Sequence, residues 1–101
     1  MADRKLVIRF EQLTEVPEWV WERTELEFLC LSDNALTAIP EALGRLTSLR
    51  ALDIAHNALT SLPAALGDLP KLQKLDLRWT GMTATPSWLT RLEKRGCVVL
   101  R

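Results

Sequence analysis

The chain is poor in the residues that catalysis, metal binding or covalent stapling would use. Its 101 residues include one histidine, two cysteines and four glycines. Cys30 and Cys97 lie far apart, which excludes the disulfide framework of a small stapled domain. One histidine and two distant cysteines supply no converging ligand set, so neither a metal nor a cofactor is expected. Gly44, Gly67, Gly81 and Gly96 are isolated, leaving no glycine loop to cradle a phosphate. An excess of one charge is also missing. Thirteen basic residues cancel thirteen acidic ones, so no global field draws the chain to nucleic acid or anionic lipid. No apolar run approaches the ~18 residues of a membrane span. The start Met1-Ala2-Asp3-Arg4-Lys5 lacks a signal-peptide core, so the cytoplasm is the expected compartment. A hydrophobic share of 48% excludes disorder, and the length fits one domain over residues 1–101.

Leucine is abundant: it fills 20 positions, and their spacing is regular. Leu26, Leu49 and Leu72 are 23 residues apart, and the other apolar columns keep step with them. Leu29, Leu52 and Leu75 form one column, and Leu31, Ile54 and Leu77 another. Pro40, Pro63 and Pro86 form a third, followed by Leu43, Leu66 and Leu89. One period back stand Leu6, Ile8, Leu13, Val16 and Pro17; one period forward, Val98 and Leu100 continue the buried columns. The phase is expected to run to the end without insertion.

Within each rung, x-L-x-L-x alternates with period two, the pattern of a short strand burying one face. The asparagine that follows, Asn34 or Asn57, can donate and accept to turn backbone left unpaired by a coiled chain. The I/L-P-x-x-L-x-x-L half suits a short helical or 3₁₀ return with proline near its start. Gly44 and Gly67 inside those returns predict that they are short and irregular. Five parallel strands follow, near residues 4–9, 27–31, 50–54, 73–77 and 96–100. A single rung cannot bury its own leucines, so the rungs must stabilise one another by stacking.

The rung L-x-x-L-x-L-x-x-N-x-L-x-x-I/L-P-x-x-L-x-x-L, read over 26–46 and 49–69, resembles the leucine-rich repeat proteins of the 23-residue class with Ile/Leu-Pro. The resemblance covers nearly the whole chain. The ending Leu75-Asp76-Leu77-Arg78, Pro86-Ser87-Trp88-Leu89, Arg95-Gly96-Cys97-Val98-Val99 is similar to the terminal segment of bacterial members. The resemblance implies an α/β fold, a right-handed solenoid forming a horseshoe segment around a parallel five-stranded sheet. About four 23-residue repeats are expected, at 3–25, 26–48, 49–71 and 72–94, with a terminal cap strand at 95–101. It also implies non-catalytic binding of a protein or peptide through the concave face of the sheet.

The end rungs depart from the pattern. Asp3 and Arg23 replace leucines and Glu11 replaces the asparagine; later, Thr80 replaces asparagine, Thr85 the aliphatic residue and Arg95 the opening leucine. Trp19 and Trp88 stand where the central rungs have Ala42 and Ala65, and are expected to be lids over the core. These caps suggest a complete protein; the alternative is the tail of a longer repeat array.

Function must therefore be sought at the variable positions of the open face. Lys5, Phe28, Ala51, Lys74 and Cys97 form its first column; Val7, Cys30, Asp53, Asp76 and Val99 its second. Arg9, Ser32, Ala55, Arg78 and Arg101 form the third, with Phe10, Asp33, His56 and Trp79 just beyond. Asp53 beside Asp76 would allow paired-carboxylate chemistry, and His56 beside Asp33 a base with its orienting acid. An open sheet excludes no water, and no placed nucleophile or oxyanion motif accompanies them, so no enzyme is expected. The partner-binding set is Phe10, Phe28, Asp33, Asp53, His56, Asp76, Arg78 and Trp79, with Asn34 and Asn57 as the structural ladder. Five strands at ~4.8 Å give a face of about 400 Å², half of a standard partner footprint. That suits a peptide or a protein also gripping the rung edges. The alternative is a self-associating structural module, a weak homodimer joined through its terminal strands.

On this register Cys30 and Cys97 lie three strand spacings apart, or ~14 Å, beyond the ~7 Å that a disulfide allows. Thiol titration of freshly unfolded protein should find two free thiols; an intramolecular bridge would overturn the strand assignment.

Overall fold

The computed structural model describes residues 3–101. Five strands lie in one parallel sheet in the order β1-β2-β3-β4-β5: Lys5–Val7, Phe28–Cys30, Ala51–Asp53, Lys74–Asp76 and Val98–Leu100. Each strand is three residues long, shorter than the sequence pattern suggests; the first four end just before the second residue of the inward pair, Ile8, Leu31, Ile54 or Leu77. Three returns are five-residue 3₁₀ turns, Glu18–Glu22, Glu41–Arg45 and Ala64–Asp68; the last is an α-helix, α1, Ser87–Lys94. Every return starts just after its proline, whose fixed φ suits the first helical turn and whose missing N–H has no partner there to lose. The leucine columns meet between sheet and returns in one core, in which Leu29, Leu31, Leu43, Leu49 and Leu66 are fully buried.

The asparagines join the rungs. Nδ2 of Asn57 donates to the carbonyls of Ile54 and Ala55 in its own rung, at 3.0 and 3.1 Å, and to Leu31 in the preceding rung, at 3.1 Å. Its Oδ1 accepts from the Leu36 N–H at 3.0 Å. Asn34 repeats this one period earlier, donating to Ile8 at 2.8 Å and accepting from Glu11 and Leu13 at 3.2 Å. Thr80, in the same column, reaches only Leu77 of its own rung at 2.9 Å, so the ladder ends there. The inter-rung bonds Ala35 N–H to Leu13 and Ala58 N–H to Leu36, at 2.8 and 3.0 Å, have no counterpart from Gly81 among the described residues.

The final register corrects the sequence reading. Lys5, Phe28, Ala51 and Lys74 align at steps of 23, but Lys74 aligns with Val98, a step of 24. Val99, not Val98 or Leu100, therefore continues the inward column of Leu6, Leu29, Leu52 and Leu75. Cys97 is buried in the core rather than displayed on the face, and Val98 is 55% exposed. The cause lies in α1. An α-helix advances ~1.5 Å per residue against ~2.0 Å for a 3₁₀ turn, so the same span consumes more chain. The helix closes on Gly96, at φ +103, with Gly96 N–H to Glu93 at 3.0 Å and Cys97 N–H to Leu92 at 3.0 Å. That is the paired closure of a Schellman motif, in which the left-handed position suits glycine and Cys97 packs over Leu92.

The lids also need correction at one end. Trp88 is buried as expected, but Trp19 is 49% exposed and Trp21 is the buried indole of the first rung, at 1%. Trp21 occupies the column of Gly44 and Gly67. At Gly67 a Cβ would lie 2.6 Å from the Trp88 Cβ, so that rung admits only glycine. The arginines that replace end-rung leucines cap backbone instead: Arg23 donates to the Asp3 carbonyl at 2.6 Å and Arg95 to Leu69 at 2.7 Å.

Because the Asn57 amide is buried and serves two rungs, Asn57→Ala should cost about 1–3 kcal/mol of stability in a denaturant series. Arg50→Ala, an exposed position, should stay within about 0.5 kcal/mol. Equal effects would contradict the ladder.

Candidate functional site: the open face of the sheet

The parallel register sets the geometry of the face, since residues in one column are neighbours about one strand spacing apart. Asp53 of β3 lies between Cys30 of β2 and Asp76 of β4. Phe28 is half-buried at the start of β2, with the Lys5 ammonium 5.0 Å from its ring centre. At the other end of the strands, the column Phe10, Asp33, His56 and Trp79 has positive φ in every rung, between +54 and +62. This left-handed step turns the chain out of the sheet and aims each side chain at the rim. Aspartate tolerates such a backbone, whereas bulky residues gain nothing from it. Phe10 and Trp79 are nonetheless there, 71% and 74% exposed.

The predicted residues fall into three local groups. His56 and Trp79 stack, with ring centres 6.0 Å apart and planes inclined by 30°. Asp33 pairs with Arg9 at 2.6 Å, and the Arg9 guanidinium lies 4.7 Å from the Phe10 ring centre. Asp76 is held by Arg78 through Nη2 at 2.8 Å, Nε at 3.1 Å and the backbone N–H at 3.1 Å. Phe28 belongs to none of these; it borders a hollow of about 120 Å³ with Ala51, Leu52, Asp53, Lys74 and Asp76. A second hollow of about 260 Å³ opens toward the strand ends, lined by Arg9, Ser32, Asp33, Asp53, Ala55, His56, Asp76 and Arg78. Asp53 and Asp76 border both. Arg9, Ser32, Ala55 and Lys74 were absent from the partner-binding set, although they stand in the same sequence columns. Arg101 leaves the face altogether and bonds Glu93 and Thr85.

The electrostatics argue against acid–base chemistry. The Arg78 fork holds the Asp76 carboxyl below its ordinary range, so it stays ionised and does not act as a general acid. Arg9 does the same for Asp33. Cys30 and Ser32 are buried and lie 3.2 Å from each other, so neither is a presented nucleophile. Burial raises the Cys97 thiol, which disfavours its reactive thiolate.

Asp76 is 6% exposed, so Arg78 has a structural duty as well as a place on the face. Arg78→Ala should lower the melting temperature at pH 7 by leaving a buried carboxylate unpaired. In the wild type the lowered Asp76 pKa stabilises the fold above the unfolded value of ~3.9, and this is lost as pH falls through the folded value. Thermal melts of the two proteins should therefore converge as acidification carries the pH down through the folded value. A gap unchanged from pH 7 to acid would show that the pair is not its cause.

The leucine-rich repeat family model matches residues 24–82. Among solved structures, a leucine-rich-repeat protein of Leptospira interrogans superposes with a TM-score of 0.80 at 31% identity over 95% of this chain. The chain spans 24% of that protein's length. No curated protein matches it. The register, the asparagine ladder and these similarities agree: the chain belongs to the leucine-rich repeat family, whose fold serves in general as a non-enzymatic protein-interaction module.

Proposed function

We propose that the chain binds a protein or peptide through the open face of its sheet, centred on the third and fourth rungs. The observation that carries this reading is Trp79: an indole 74% exposed, at φ +62, stacked on His56. No packing role explains it, unlike Trp21 and Trp88. Trp and Arg dominate binding hot spots because they combine desolvatable area with directional hydrogen bonding. Three-residue strands span only ~10 Å each, so the sheet alone offers about half the footprint that longer strands would give. The rim residues Phe10, Asp33, His56 and Trp79 must supply the remainder, which favours a peptide or a narrow protein edge.

A second reading, self-association through the terminal strands, draws support from Val7 and Val98, which are 48% and 55% exposed on β1 and β5. Light scattering at several concentrations separates the two, because only this reading gives a concentration-dependent dimer.

Trp79→Ala should keep the melting temperature and weaken capture of the wild-type partner about thirtyfold, as removal of ~2 kcal/mol implies. If capture survives this change but is abolished at Arg45, Asp68 or Lys71, the site is on the convex surface instead.

A further inference from the structure

Among the described residues, Asp53 is the carboxylate of the central face that no ion pair holds. Arg9 is engaged with Asp33 and Arg78 with Asp76, and among the described residues no ion pair reaches Asp53. Its Oδ1 accepts from the Ala55 N–H at 3.1 Å. Its Oδ2 has only the Cys30 thiol at 3.8 Å, a weak donor. A carboxylate has about four acceptor sites, so much of its capacity is open toward the face. The surrounding shape is hollow as well. Ala51 and Ala55 give the third rung small side chains, Phe28 and Lys74 stand on the strands either side of its start, and Arg9 and Arg78 line the hollow at its end. The two hollows, about 120 and 260 Å³, meet at Asp53 and Asp76. The larger is lined by three carboxylates against two guanidiniums, both of which are committed to Asp33 and Asp76. Lys74 borders only the smaller one.

We infer that this trough along the third rung receives a lysine or arginine side chain of the partner, with its ammonium or guanidinium on Asp53. The inference rests on the open-face reading and specifies its chemistry. Two arginines in the lining disfavour a divalent ion, whereas an organic monocation can donate to Asp53 and lay its methylenes over the alanines. Asp76 does not compete for it, because Arg78 already takes both carboxylate oxygens.

The test is a set of blocked tripeptides, Ala-Arg-Ala, Ala-Lys-Ala, Ala-Leu-Ala and Ala-Glu-Ala, titrated at low salt into the ¹⁵N-labelled chain. The basic peptides should shift the amides of Ala51, Asp53, Ala55 and His56, and their comparison tells guanidinium from ammonium. Asp53→Asn keeps the acceptor for the Ala55 N–H, so it should fold, yet bind them about fivefold more weakly. Ala51→Leu, which fills the trough from the other side, should weaken them too. Unchanged binding to Asp53→Asn overturns the inference. So does equal or stronger binding of the leucine or glutamate peptide at the same amides, although that result leaves open-face binding intact. If no peptide shifts the face, cation docking is likewise overturned, and the Trp79→Ala capture experiment decides the open-face reading independently.

Discussion

The fold depends on the side-chain amide of Asn57. A coil of parallel rungs leaves turn backbone between strand and return with no ladder partner, and buried unpaired amides cost more than the net gain of most single contacts. Asn57 satisfies carbonyls of two rungs with one NH₂ group and an N–H of the second rung with its oxygen. It thereby fixes the offset at which one rung sits on the next. The leucines supply the driving force, but burial alone is non-directional. The amide gives it a register, and the register places Asp53 beside Asp76 and stacks His56 on Trp79.

Where the ladder stops, the structure changes character. Thr80 bonds only within its own rung, and the return that follows is a true α-helix rather than a 3₁₀ turn. The last rung is thereby one residue longer, and the sheet ends with Val98 on the open face and Cys97 in the core. The glycine column follows the same logic of contact between neighbouring returns. Gly67 yields its side-chain space to Trp88, and in the first rung that space is filled by Trp21.

Sequence periodicity made the rungs, strand order and asparagine ladder legible because each leucine column recurs with polar neighbours that fix its face. The last strand resisted this reading because Val98, Val99 and Leu100 are all apolar, so alternation cannot tell which side is buried. Trp19 and Trp21 were ambiguous for a related reason: both are indoles on a short turn, and only contact with the next rung selects between them. On the open face the columns could be read, but not the pairings. Adjacency alone does not reveal that Arg78 binds Asp76 of its own strand, that Arg9 reaches across to Asp33, or that no ion pair among the described residues holds Asp53. Those choices depend on side-chain reach and on the left-handed step that carries the rim residues outward.

A binding face built this way is as rigid as the stack beneath it, and the account stands or falls on the rungs behaving as one coupled unit. Native-state hydrogen exchange tests this most directly. The amides of Leu31, Leu36, Ile54 and Ala58 donate across rung boundaries, Leu36 to the Asn57 side chain and the others to backbone carbonyls. They should exchange together in the slowest class, through global unfolding. Amides in the 82–84 segment, beyond the end of the ladder, should exchange much faster. If Leu36 and Ala58 exchange as quickly as that segment while single strands stay protected separately, the rungs are not coupled and the asparagine ladder does not hold the fold together.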